Sequence, residues 1–276
     1  EVYKEFRVST LINSDKTVYK MPMHKSAETH IHNIFENTNY LLQRGVAILP
    51  VEMIGNVLLS PQYEADSAQD VFAQALFNND KALVFNMIEG LRNSFLKSSD
   101  VLDYNINNII LSNGLGNAGI DYGPILQKAF VDMTFYNAFW ENGKLLFFDQ
   151  EWCFSRVPLR FCLYYAIKSA YSKVNCDTNV SLDELLQYVD IQHEEIGVYD
   201  KLEEYIWSNV LYRQTDFYGE EGYCNRYNND NSLNSYFTSV NEQLQRYAED
   251  EKEYKSEIED YLRTINNQEG HIEQLL

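Results

Sequence analysis

The chain of 276 residues is poor in positive charge: 22 Lys and Arg stand against 41 Asp and Glu, a formal net charge of −19. A surface this acidic repels phosphate backbones and anionic headgroups, which excludes general binding to nucleic acid or to anionic membrane. Long apolar runs are missing as well. The best stretch, Phe161–Ile167, falls far short of the ~18 residues that a bilayer span requires. Cysteine is scarce, and Cys153, Cys162, Cys176 and Cys224 form no Cys-x-x-Cys pair. That spacing argues against zinc and for reduced thiols, hence a cytoplasmic setting. The opening Glu-Val-Tyr-Lys-Glu-Phe-Arg has neither an initiator Met nor a signal peptide, so a piece of a longer protein is expected. Apolar side chains are abundant: 45% of residues are hydrophobic, ample for a sizeable core.

Three regions differ in character. In residues 1–65 the alternation of Phe6–Ile12, the turn Asn13-Ser14-Asp15 and Thr17–Lys20 predict a β-hairpin. Ser26 offers an N-cap to a helix whose apolar face is Ile31, Ile34, Phe35, Leu41 and Leu42, running to Gly45. Strand-like runs follow at Gly45–Val51 and at Asn56–Leu59, the latter ending at Pro61. From about 66 to 213 the pattern turns mainly helical, at Ala68–Phe77, Lys81–Phe95, Leu159–Tyr171, Ser181–Val189 and Asp200–Tyr212. One β-hairpin interrupts it, Ala138–Trp140 and Leu145–Phe148 around Glu141-Asn142-Gly143; Asn-Gly is the strongest local hairpin signal. Residues 223–235, rich in Asn, read as a linker.

Beyond the linker, 236–276 read as a coiled-coil helix. Its seam runs Leu244, Tyr247, Glu251, Tyr254, Ile258, Tyr261, Ile265, Gln268, Ile272 and Leu275, at alternating steps of three and four. Ten acids against four bases in 241–276 make the outer face acidic and solvated. A stripe of this kind needs a partner helix, so a homo-oligomer through the coil is expected.

The stretch that can carry chemistry is Val131–Asn137, the hairpin after it, and Phe148-Asp149-Gln150-Glu151-Trp152. Phosphoryl transfer from ATP needs a carboxylate to orient the acceptor hydroxyl, and an amide oxygen with a second carboxylate to hold Mg²⁺ under the phosphates. Asp132 and Asn137 stand five apart, and Asp149 follows beyond the hairpin at the end of an apolar strand. That is the order of protein-kinase-like enzymes. Asp-x4-Asn alone recurs by chance in a chain this long; the hairpin between Asn137 and Asp149 gives it weight. Lys20, at the end of the second strand of the β-β-α-β-β region, would pair with the α- and β-phosphates. The bland reading makes Asp132 and Asn137 loop caps and Asp149 a hairpin terminus. His24, His30 and His32 read as helix-edge histidines, since residues two apart on a helix diverge. His193-Glu194-Glu195 lacks the second His of a zinc-protease helix.

The chain resembles the kinase-like domain of bacterial surface-polysaccharide enzymes, and more broadly the aminoglycoside-phosphotransferase and choline-kinase branch of the protein kinase superfamily. The matching stretches are Val18-Tyr19-Lys20, Ala27-Glu28-Thr29-His30-Ile31, the Asp132–Asn137 loop and Phe148-Asp149-Gln150-Glu151-Trp152. Val157–Phe161, Tyr164–Ile167 and Glu269–Leu276 also fit, so the likeness spans nearly the whole chain. It implies an α+β, two-lobed protein-kinase-like fold: a β-rich N-lobe (1–65), a helical C-lobe (66–222), and then the coiled coil. ATP would lie between the lobes, its adenine near Gln62, Tyr63 and Glu64, with Lys20 on the phosphates. Asp132 would orient a hydroxyl of a sugar or glycan, and Asn137 and Asp149 would hold Mg²⁺. The family is usually fused to methyltransferase or glycosyltransferase modules, which would act at the inner face of the membrane through partners.

The departures are specific. The first turn, Asn13-Ser14-Asp15, has no glycine, Val131 replaces a frequent Gly, and Asp149 is followed by Gln150-Glu151 instead of Phe-Gly. Glu151, an acid two positions on, would support the metal site. Neither Glu28 nor Glu36 is well placed to pair with Lys20, and both read as solvated charges. The alternative function is an inactive pseudokinase that, with its coil, positions a fused transferase.

Overall fold

The computed structural model describes residues 4–12, 16–102, 108–174 and 178–211. The Asn13–Asp15 turn, Cys176, Cys224, the linker and the coiled coil lie outside these residues. The fold is α+β, with three small antiparallel sheets among helices. No helix of the described residues is long and apolar enough to cross a membrane.

The expected N-terminal hairpin forms from β1 (Val8–Ile12) and β2 (Thr17–Pro22), in register from Val8↔Pro22 to Ile12↔Val18. Helix α1 (Glu28–Gln43) does not start at Ser26. A 3₁₀ turn, Lys25–Ala27, comes first, capped by His24, whose Nδ1 accepts the Ser26 N–H at 3.1 Å. The helix ends at Gly45, φ +73°, where the Val46 N–H reaches back to the Leu41 carbonyl and the Gly45 N–H to that of Leu42. These two bonds satisfy orphan carbonyls in a Schellman motif, which favours a glycine free to take positive φ.

The strand expected at Gly45–Val51 is absent as a ladder strand. Ile48 makes only an isolated parallel bridge to Phe147, and regular pairing begins after Pro50, with β3 (Glu52–Ile54) against β4 (Val57–Pro61). Proline has no N–H to give a ladder, so the strand is shortened. The first sheet has the order β1-β2-β4-β3, and Lys20 sits on the inner strand β2 between Thr10 and Leu58.

After β5 (Asp66–Ser67) come α2 (Ala68–Phe77) and α3 (Lys81–Ser98), then β6 (Val101–Leu102), the short α4 (Ile109–Ser112) and β7 (Ile125–Phe130). The hairpin is β8 (Ala138–Glu141) and β9 (Lys144–Phe147), turning on Asn142 and Gly143, both at positive φ. This is the geometry that makes Asn-Gly favourable there. β10 (Cys153–Pro158) leads directly into α5 (Leu159–Tyr171), followed by α6 (Leu182–Tyr188), α7 (His193–Tyr205) and a π-helical turn, Ile206–Leu211. The last helix therefore begins before the expected Asp200, started by a capping box between Gln192 and Glu195.

The pair β7–β10 corrects the reading of 66–213 as helical outside one hairpin. β7 buries Ile125, Leu126, Ala129 and Phe130 on both faces, while β10 carries exposed Ser155 and Arg156, so neither alternates. Their ladder leaves out Arg156, which is at φ +59°. The ends of the two strands frame the Asp132 loop.

Burial divides into two cores. Ile31, Ile34 and Leu58 form a small cluster between α1 and the first sheet. A large cluster built on α2, α3, α5 and β7 also takes in the α1 residue Leu41 with Val46 and Ile48. Helix α1 thus belongs to both cores. The Leu49 N–H to the Phe147 carbonyl, 2.8 Å, fastens the segment that follows it to the hairpin.

Candidate functional site

The loop after β7 is positioned by its apolar residues. Met133 and Phe135 are fully buried, and Phe135 stacks on Phe72 of α2 with ring centroids 4.7 Å apart. Backbone turns hold the loop, Met133 N–H to Phe130 O and Asn137 N–H to Thr134 O. Asn137 Nδ2 donates to the Asp132 carbonyl at 3.3 Å, and its own carbonyl accepts the Phe148 N–H at 3.0 Å. The hairpin therefore returns the chain to the loop it left, and delivers Asp149 beside Asn137.

Asp149 lies just past β9 at φ +56°, a left-handed conformation that a non-glycine residue keeps only where its surroundings demand it. Two neighbours supply that demand. Gln150, fully buried, donates from Nε2 to the Phe148 carbonyl at 2.8 Å and to the Asp132 carbonyl at 3.2 Å. Asn37 of α1 donates from Nδ2 to the carbonyls of Gln150 (3.1 Å) and Glu151 (3.3 Å).

Lys20 reaches this segment from the first sheet. Its ammonium pairs with the carboxylates of both Asp149 and Glu151, across 129 and 131 positions of sequence. Burial disfavours the charged ammonium, yet the two acids raise its pKa above the usual lysine value. Glu151 has a further partner, His30 Nε2 at 3.2 Å. Burial alone would raise Glu151; the His30 hydrogen bond and the Lys20 charge override it and bring the carboxyl down to about 2. Asp149 moves the other way: burial and the Glu151 charge raise it against the pull of Lys20.

Asp132 joins the same segment through its side chain. Oδ2 accepts the backbone N–H groups of Glu151 and Trp152, each at 3.0 Å. Its pKa stands well above the ordinary carboxylate value, chiefly through burial and then through the charges of Glu151 and Asp149, opposed by those two hydrogen bonds.

A cavity of about 340 Å³ opens beneath the first sheet, within the range of small-ligand sites. Lys20, Val18 and Leu58 line it from the sheet, and Phe139, Phe148 and Asp149 from the hairpin. Gln62 and Tyr63 also line it, and the Tyr63 hydroxyl donates to Glu141 at 2.6 Å. Glu64 does not: its carboxylate pairs with Lys16 at 2.8 Å, both side chains exposed. Asp132 lines a separate, smaller crevice with Trp152, Tyr165, Glu203 and Trp207.

Lys20 and Asp149 thus meet at the cavity, and the loop that carries Asp132 and Asn137 is hydrogen-bonded to the segment that carries Asp149, without Asp132 or Asn137 lining that cavity. The ion partners of Lys20 among the described residues are Asp149 and Glu151; neither Glu28 nor Glu36 meets it. His30 is buried, not helix-edge: its ring lies 4.8 Å from that of Trp152 and 5.2 Å from that of Phe6. Sequence reasoning missed His30, Asn37 and Gln150. A signal for two of them was present, since His30 and Asn37 are polar and two turns apart within the apolar stripe of α1.

The donor set suits a hard cation. Among the described residues no group of three or more His, Cys, Asp or Glu forms a metal centre. Mg²⁺ bound with phosphate oxygens and water needs only one or two carboxylates, so Asn137 and Asp149 suffice in kind. Burial pushes the Cys153 thiol up to about 11 and that of Cys162 higher, so neither is an activated nucleophile. Compared with known proteins, the chain matches no protein-family model and no curated protein.

Proposed function

We propose that the chain is an ATP- and Mg²⁺-dependent phosphotransferase of protein-kinase-like fold, acting on a hydroxyl of a sugar or glycan. One observation carries this reading. A lysine on the inner strand of the first sheet meets Asp149 beyond a hairpin, at the cavity, with the Asp132–Asn137 loop hydrogen-bonded to the same segment. The first sheet with α1 would be the N-lobe, and the region from α2 onward the C-lobe.

In this reading the adenine enters under β2 and β4, beside Gln62 and Tyr63, and Lys20 holds the phosphates. Asn137 and Asp149 would hold Mg²⁺, which supplies charge neutralisation on the phosphate oxygens. Asp132, with its raised pKa, orients the acceptor hydroxyl and takes its proton. The larger setting is a polysaccharide-biosynthesis protein with a methyltransferase or glycosyltransferase module.

The test is incubation of the chain with Mg²⁺, labelled ATP and a panel of glycans from its own organism. Label should pass to a glycan only with Mg²⁺ present, and ATP alone should be hydrolysed slowly.

A second reading, the pseudokinase scaffold, is favoured by the engagement of Asp132 Oδ2 with two backbone N–H groups. A scaffold would hydrolyse no ATP and transfer no label, whatever its nucleotide affinity.

A further inference from the structure

Lys20 has two carboxylate partners, and their surroundings are unequal. Asp149 is bound to Lys20, and its side chain keeps 35% of its exposure, at the cavity wall. Glu151 is 20% exposed and held by more than the lysine. His30 Nε2 lies 3.2 Å from Oε2 while Lys20 takes Oε1, so each carboxylate oxygen has its own partner. The imidazole itself has little room to move. Phe6 and Trp152 pack against it, and against each other edge-on at 4.7 Å.

The same helix grips the segment a second time. Asn37, two turns after His30, donates one amide group to two successive carbonyls, Gln150 and Glu151. Helix α1 therefore holds Glu151 at its carboxylate and at its backbone. No corresponding contact from α1 to the Asp149 side chain occurs among the described residues.

We propose that His30 and Asn37 are positioning residues that fix Glu151 as the standing ion partner of Lys20, leaving Asp149 as the carboxylate that is released to a divalent cation. This rests on the proposed function for the part played by the cation, but the assignment of the two partners does not. It places the acid that orients the lysine on the Asp149–Glu151 segment, and gives the helix a histidine–asparagine clamp instead of an acid.

The experiment has two readouts on the same variants. The first needs no nucleotide: the ¹H–¹⁵N signal of the Lys20 ammonium, assigned by its loss in Lys20→Arg. Held ion pairs slow its exchange with water, so the signal should be visible in the unaltered chain. It should persist in Asp149→Asn and disappear in Glu151→Gln and in His30→Leu. His30→Gln, which keeps an N–H donor, should restore it. If His30→Leu does not fold, Asn37→Leu and His30→Gln carry the comparison, with Asn37→Leu expected to weaken the signal. A signal that survives in Glu151→Gln and vanishes in Asp149→Asn would reverse the assignment and overturn the proposal. So would an undisturbed signal in every folded His30 and Asn37 variant.

The second readout is Mg·ATP affinity by calorimetry. His30→Leu and Glu151→Gln should each weaken it roughly tenfold, the scale of one charge-assisted hydrogen bond, and the double variant should be no worse than either. Multiplied effects in the double variant would show two independent roles and reject the coupling. Absence of Mg·ATP binding in the unaltered chain, with the ammonium pattern as expected, would reject the phosphotransferase reading and leave the clamp standing.

Discussion

The Asp132 carboxylate accepts the backbone N–H of Trp152 at 3.0 Å, twenty residues further along the chain. The same oxygen accepts the N–H of Glu151, so one side chain fastens the loop after β7 to the segment that carries Asp149. The bond has two consequences, one for chemistry and one for stability.

Asp132→Asn keeps an oxygen that can accept both N–H groups but removes the proposed base. Mg·ATP binding should survive, while transfer falls by roughly two orders of magnitude or more. Asp132→Ala should lose transfer equally and in addition leave two part-buried backbone donors without their partner, costing about 1–3 kcal/mol for each. Calorimetry, a labelled-transfer assay and thermal unfolding separate the three effects. Transfer near the unaltered rate in Asp132→Asn would mean that another group is the base.

Asp149→Asn removes the charge that a hard cation requires but retains the shape of the side chain. Mg²⁺-dependent ATP binding should be abolished with the far-ultraviolet circular dichroism unchanged. An unaltered Mg·ATP titration would remove Asp149 from the metal site.

Glu151 predicts an acid limb. Its carboxyl is held at about 2 in the folded chain, below the ordinary 4.5, so the folded state prefers it ionised. The stability this contributes, roughly 3 kcal/mol, is present in full above about pH 4.5 and lost as pH falls toward 2. The raised carboxyl of Asp132 acts in the opposite sense, since it favours the folded state as the pH falls. Glu151→Gln should therefore be less stable at neutral pH and flatter between pH 5 and 2 in a series of melting curves. Parallel curves for the two chains would show that Glu151 is not the group concerned.

The hairpin between Asn137 and Asp149 depends on Gly143, at φ +75° with open space where a Cβ would stand. Gly143→Ala meets no clash, only the left-handed conformation, and should cost about 1 kcal/mol. The melting temperature should fall by a few degrees while Mg·ATP affinity holds, because the register is also set by four paired positions from Ala138↔Phe147 to Glu141↔Lys144.

Much of this architecture was legible locally. Ala68–Phe77 and Leu159–Tyr171 run between the residues that their periodicity marks, since a helical face repeats within four positions. The β8–β9 turn followed from Asn142-Gly143, and the sequence order of Lys20, Asp132, Asn137 and Asp149 announced the candidate site. β7 and β10 escaped because buried ends and an unpaired Arg156 erase the alternation on which strands are recognised.

What the sequence determined by itself is short-range: which segments turn, which alternate, which coil, and which polar residues stand near them. Tertiary structure alone decided the partners of those residues. The acid beside Lys20 came from the Asp149–Glu151 segment and not from α1, and His30 left the role of a surface histidine to hold Glu151 across 121 positions. The physical reason is that a buried charge must find compensating groups wherever the packed elements bring them, and that choice leaves no periodic mark on either stretch of chain.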